Sequence, residues 1–157
     1  MSQGFKDALA SWASGVSVVA ARAGGLCYGL TVSSFTSLSF DPPLVLVCIT
    51  NENRLPELIR TGGGFTVSVL AAGQEHVSTA FSRRGREPGP ALAEAPSIEA
   101  PSGRPVLVGA IAWVDCELHD EIAKGDHQIV IGRVVGTFAD PEKQPLTYFR
   151  RGYHRLA

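Results

Sequence analysis

Between Gly29 and Pro43 the chain carries Thr31, Ser33, Ser34, Thr36, Ser37 and Ser39, set between two apolar runs. Hydroxyls at that density, next to a turn whose main-chain N–H groups can form an anion-binding nest, suit a phosphate or the polar edge of a ring. In an extended chain Thr31 and Ser33 project to one face and Val32 and Ser34 to the other, so hydroxyls converge on a ligand while Val32 faces a core. Taken alone, such a segment also fits a capped, solvated loop. A second group, Phe81-Ser82-Arg83-Arg84, ends in two arginines. Their planar forks bind phosphate oxygens in pairs, or complement the negative end of a helix. A third, Gly125-Asp126-His127, precedes the apolar run Gln128 to Val134. It is either a tight turn in which Asp126 caps its own backbone, or a histidine set at the mouth of a strand.

The elements that must position these groups are short. Phe5, Ala8, Leu9 and Trp12 recur at helical spacing, predicting an amphipathic helix from Phe5 to Ala13 stopped by Gly15. Val16 to Ala21 and Leu26 to Val32 read as a hairpin across Ala23-Gly24-Gly25. Leu44 to Ile49 is continuously apolar, predicting a strand buried on both faces at the centre of the fold. Leu55, Leu58 and Ile59 predict a helix with Asn51 or Asn53 as N-cap, ended at Gly62-Gly63-Gly64. Phe65 to Leu70 predicts a strand, and Val77, Ala80 and Phe81 a further short helix. The stretch from Arg86 to Pro105 has no period and reads as an irregular loop, a lid or a mobile segment. Two long strands follow, Val106 to Leu118 and Gln128 to Phe138, joined by a polar connection from Asp120 to His127. Long antiparallel strands with short helices between them predict a mainly β fold, closed or half-closed into a barrel.

At 157 residues the chain fits one domain, 1–157, and no internal repeat is present. A net charge of −1 without a basic block excludes the electrostatic footprint of nucleic-acid binding. Charged residues are 18%, below the roughly 25% usual for soluble chains, which predicts apolar surface covered by another subunit. Cys27, Cys48 and Cys116 are odd in number and widely spaced, as expected of free thiols in a reduced, cytoplasmic protein. No apolar run reaches the roughly 18 residues of a membrane span, and the first residues lack a signal-peptide pattern. No P-loop, G-x-S-x-G elbow or Rossmann fingerprint is present, and Cys116 and His119 fall on opposite faces of a strand, so no metal site is expected.

With G-x-T-x-S-S-F-x-S-x-S, then P-P-L-V-L-V-C and the distant G-D-H, the chain resembles the flavin reductase family, the reductase components of two-component flavin-dependent monooxygenases. The resemblance runs from about Phe5 to Tyr153, strongest at 29–48 and 125–134 and weakest across 84–105. It implies an FMN-binding split barrel of Greek-key type, a homodimer, and NAD(P)H:flavin oxidoreduction, with FMN or FAD and NADH or NADPH as the nucleotides. Reduced flavin would pass to a separate oxygenase. Carried over residue by residue, it implies that Thr31, Val32, Ser33, Ser34 and Ser37 hold the flavin, with Cys48, Thr50, Asn51, Asn53 and Arg54 in a second contacting turn. Near Asn53 the family commonly has serine, so here an amide replaces a hydroxyl. Ser82 and Arg83 approach the flavin phosphate. His127, with Asp126 beside it, lies by the nicotinamide as the catalytic candidate, and Tyr148 and Tyr153 belong to the segment that closes the same cavity. Two other readings share these motifs: a protein that keeps FMN as a prosthetic group for electron transfer, and a barrel that binds another small ligand.

Overall fold

The computed structural model describes all residues, 1–157. The elements in chain order are α1 (Gln3–Ala10), β1 (Ser14–Gly15), β2 (Ser17–Ala23), β3 (Leu26–Val32), β4 (Thr36–Phe40), β5 (Pro43–Thr50) and α2 (Leu55–Gly62). There follow β6 (Gly64–Val69), α3 (Glu75–Ser82), β7 (Ser97–Glu99), β8 (Pro105–Leu107), β9 (Ala112–Lys124), β10 (His127–Ala139), β11 (Thr147–Phe149) and β12 (Gly152–His154). Seven strands form one antiparallel sheet in the non-sequential order β3-β2-β6-β9-β10-β5-β4. The chain is mainly β with short helices, and the sheet curls without closing its ladder, as a split barrel does.

At the split, β3 and β5 are joined by a side chain instead of a backbone ladder. Just past β3, the Ser34 hydroxyl donates to the Cys48 carbonyl and accepts from the Cys48 N–H, both at 3.0 Å. One serine thus satisfies the two backbone groups that a ladder would otherwise pair.

Alternation along the strands builds two cores. Val19 and Ala21 of β2 face the barrel interior with Val47, Ile49, Phe65, Val67 and Val130, and α2 adds Leu55 and Ile59 to the same cluster. Val18 and Ala20 face outward, where Val77 and Phe81 of α3 cover them together with Leu92, Leu107 and Leu146. Gly29 lets α3 come this close, since a Cβ there would lie 2.8 Å from the Phe81 ring.

Four expectations change. β2 is buried on both faces, whereas β5, despite its unbroken apolar run, alternates between buried and half-buried and sits next to the sheet edge. The reason is coverage: α3 and the residues after it pack over β2, while no helix is packed into the outer face of β5, whose Leu44, Leu46 and Cys48 stay half-buried. The stretch 86–105 is not a free lid but is held down by Arg86, by the Cys27–Gly89 bridge and by the β7–β8 pair. Val106 to Leu118 is not one strand: β8 ends at Leu107, and β9 begins at Ala112. The polar stretch 120–127 is mostly strand, because β9 and β10 run on to a two-residue turn at Gly125-Asp126, with Gly125 at φ +58°.

Helix limits shift by a few residues. α1 starts at an N-cap, Ser2, whose hydroxyl accepts from Phe5 N–H, and it ends at Ala10, ahead of the expected Gly15. Of the two expected caps of α2, Asn51 and Asn53, neither holds the cap position, which is Arg54; Asn53 accepts from Leu55 N–H at 2.9 Å from one residue before it.

Candidate functional site

The split opens into a cavity of about 580 Å³. One wall is β3 and the residues after it, from Tyr28 to Ser34; another is the end of β5 with Thr50, Glu52, Asn53 and Arg54; a third is the end of α3 with Ser82 to Arg86. His127 stands at the mouth. A second cavity of about 490 Å³ lies across the Ser33-Ser34 turn, between Trp12, Val16, Phe35 and Val69, with the hydroxyls of Ser14 and Ser17 among its lining. Ser33 and Ser34 therefore belong to both walls, which is the placement needed to set two ligands side by side.

Eleven of the residues expected from the sequence line the larger cavity: Thr31, Val32, Ser33, Ser34, Cys48, Thr50, Asn53, Arg54, Ser82, Arg83 and His127. Several of their polar groups already have partners. Thr31 donates its hydroxyl to the Ser78 carbonyl at 2.7 Å, Ser82 donates to the same carbonyl at 2.7 Å, and Ser34 spends its hydroxyl on Cys48. Arg54 is paired with Glu87. What remains for a ligand is the hydroxyls of Tyr28, Ser33 and Thr50, Asn53 Nδ2, His127 Nε2, the backbone N–H groups of Ser33, Ser34 and Phe35, and the guanidinium groups of Arg83 and Arg84. None of these donates to another group of the protein. The serine-rich turn thus contributes more through its backbone than through its hydroxyls.

Five expected residues lie outside this cavity. Ser37 is exposed on β4. Asn51 braces the β9–β10 turn, donating to the Gly125 carbonyl at 3.2 Å and accepting from Gln128 at 2.9 Å. Asp126 meets His127 Nδ1 at 2.7 Å. The hydrogen bond and charge of His127 hold the Asp126 carboxyl below its ordinary value of 3.8. Asp126 is therefore ionised at neutral pH, and the contact is lost only as pH falls through that lowered value. It fixes the imidazole through Nδ1 and leaves Nε2 as the second ring nitrogen. Tyr148 and Tyr153 stand on β11 and β12 with ring centroids 5.4 Å apart, and the Tyr153 hydroxyl meets Ser78 Oγ at 2.8 Å behind the α3 wall.

Sequence reasoning did not assign Tyr28, Leu30, Ile49, Glu52, Arg84, Gly85 and Arg86 to the site. Period-two alternation backward from Val32 would have placed Leu30 and Tyr28 on one face. Arg86 had no local signal. Its guanidinium, largely buried, donates to the Gly29 and Phe81 carbonyls at 2.8 and 2.7 Å, pairs with Glu94 at 3.0 Å and lies 4.8 Å above the Tyr28 ring. It pins β3, α3 and the following segment together. Arg83 and Arg84 are left to face the ligand.

The donor set fits a flavin nucleotide. Two unpaired guanidinium groups suit a phosphate, a row of free N–H groups suits the carbonyl edge of a ring, and the volume lies within the range of about 300–1,000 Å³ common to small-molecule sites.

Residues 9–157 match the model of the flavin reductase like domain. The chain belongs to that family. It is 45% identical over 156 residues to the reductase component of 4-hydroxyphenylacetate 3-monooxygenase of Thermus thermophilus, covering 99% of this chain and 97% of that one. It is 38% identical over 153 residues to an NADH-dependent flavin reductase of Pseudomonas fluorescens, covering 96% and 87%. Among solved structures, the NADH:FAD oxidoreductase of Streptomyces globisporus in complex with NAD and FAD fragments superimposes with a TM-score of 0.90. That pair shares 29% identity over 98% of this chain and 91% of the other. As a flavin reductase-like protein, the chain places eleven of the sixteen residues that the resemblance implied around one opening in the sheet.

Proposed function

We propose that this protein is an NAD(P)H-dependent flavin reductase that supplies reduced flavin to a separate flavin-dependent oxygenase. The observation that supports it most is the pair of cavities sharing the Ser33-Ser34 wall, with unpaired Arg83 and Arg84 in the larger one. The nucleotides supply the chemistry themselves, hydride leaving a reduced nicotinamide for the flavin ring, so the chain needs no general acid or base for that step. Its residues bind and align. Arg83 and Arg84 take the phosphate end, the N–H groups of Ser33, Ser34 and Phe35 orient the ring edge, and Tyr28, Leu30 and Val32 exclude water from one side. His127, braced by Asp126, positions the nicotinamide at the mouth. Asn51 and Ser37 act from outside this wall, the first by bracing the turn that carries His127.

The working protein is a homodimer. α1 buries none of its residues, Trp12 is 79% exposed at the rim of the second cavity, and Phe40 on the edge strand β4 is 97% exposed. Large apolar side chains left bare in this way are what a second copy covers. The three free cysteines suit the reducing cytoplasm, where the nicotinamide pool lies.

The test is oxidation of NADH and of NADPH with FMN, FAD and riboflavin as acceptors, on protein passed through a desalting column. Turnover that requires added flavin supports a reductase releasing its product. Flavin retained through desalting without turnover supports the prosthetic-group reading, and neither binding nor turnover overturns both.

A further inference from the structure

Arg54 lines the larger cavity and meets Glu87, which stands just outside its wall. Arg54 ends the turn after β5, and Glu87 stands on the segment after α3. The contact is bidentate: one guanidinium nitrogen lies 2.6 Å from one carboxylate oxygen, and another lies 2.9 Å from the second. A carboxylate held this way occupies the same planar fork that binds two oxygens of a phosphate. Three features mark the pair as exchangeable. Both side chains are largely open to water, at 55% and 67% exposure, so separating them incurs no buried-charge penalty. Glu87 makes no other polar contact through its side chain. Its backbone is fixed, because Arg86 is pinned to β3 and α3 on one side and Gly89 bridges to Cys27 on the other, so the carboxylate swings while the wall stays in place. The neighbouring Arg83 and Arg84 have no internal acid, and Arg86, paired with Glu94, is largely buried, so Arg54 is the one solvent-open arginine of the cavity held by a carboxylate.

Resting on the reading of this cavity as the flavin site, we propose that Glu87 is a specificity-determining residue. It holds the Arg54 fork in the absence of a phosphate, yields it to the phosphate of a flavin nucleotide, and reclaims it when the nucleotide leaves. Competition of this kind weakens phosphorylated flavins selectively and speeds their release, which a reductase handing its product to another protein requires. It leaves riboflavin, which has no phosphate, untouched.

The experiment is a set of dissociation constants for FMN and riboflavin with wild type, Glu87→Gln, Arg54→Ala and the double variant, each checked for an unchanged thermal midpoint. Glutamine keeps the shape and removes the charge. Glu87→Gln is expected to bind FMN about fivefold tighter at low salt, the scale of one exposed ion pair, with the gain shrinking as ionic strength rises. Riboflavin affinity stays within twofold, and the gain for FMN vanishes when Arg54 is also absent. An FMN affinity unchanged by Glu87→Gln, an equal gain for riboflavin, or a gain that survives in the Arg54→Ala background would each overturn the proposal. A shift in the Michaelis constant for NADH measured with riboflavin as acceptor would assign the pair to the dinucleotide and overturn it as well. If wild type binds neither flavin, the reading of the site itself fails, a result distinct from all of these.

Discussion

Ser33 and Ser34 are neighbours with different tasks. Ser34 closes the split by satisfying both backbone groups of Cys48, so Ser34→Ala leaves a half-buried N–H and carbonyl without partners and should cost about 1–3 kcal/mol. A thermal or urea melt should show that loss. Ser33→Ala should leave the melt unchanged and weaken flavin binding by at most about tenfold, the scale of one neutral hydrogen bond. Equal midpoints for the two variants would contradict the division. Arg83 has no protein partner and faces the cavity, so Arg83→Ala should weaken FMN by roughly tenfold or more and leave riboflavin within twofold, measured by fluorescence quenching. Equal losses for both flavins would mean that Arg83 acts through the end of α3. The thiols divide in the same way. Burial pushes Cys116 up to about 12, and Cys27 is buried, whereas Cys48 lines the cavity. Alkylation should therefore modify Cys48 first, and bound FMN should slow it.

At the scale of elements, Arg86 is the side chain on which the site's walls depend. Arg86→Ala removes three carbonyl contacts, to Gly29, Phe81 and Arg83, and strands Glu94, so it should lower stability by about 1–3 kcal/mol and open the 87–95 segment to limited proteolysis. Wild-type protease resistance in that variant would contradict the pinning role. What the sequence could and could not disclose follows from range. The hairpin β2–β3, the helices α2 and α3 and the strands β6 and β10 carry their own periodicity, so they were legible. The burial of β5 was not, because an apolar run does not say what lies over it. Nor were the anchors of the 86–105 segment, since Arg86 finds Gly29 across 57 residues. Eleven of the 18 positions lining the cavity were legible through the family motifs. The engagement of Thr31, Ser34 and Ser82 with the protein's own backbone was not, because a hydroxyl in a sequence does not declare its partner.

For the molecule as a whole, the proposed homodimer rests on the exposed faces of α1 and β4. Light scattering should give the mass of a dimer, and Phe40→Glu should raise its dissociation constant by about tenfold or more through a charge placed in an apolar contact. A monomeric wild type would remove the homodimer. No helix is long and apolar enough to cross a membrane. If the two cavities set a reduced nicotinamide against a flavin, hydride transfer between them is read by anaerobic stopped-flow bleaching of flavin absorbance. Wild type with FMN or FAD should bleach on mixing with NADH or NADPH. His127→Ala should bleach more slowly or need more nicotinamide, with flavin affinity within twofold of wild type, since misplacement of about 1 Å can reduce a rate on the order of a hundredfold. Wild-type protein that binds flavin and fails to bleach it with either nucleotide would contradict the reductase.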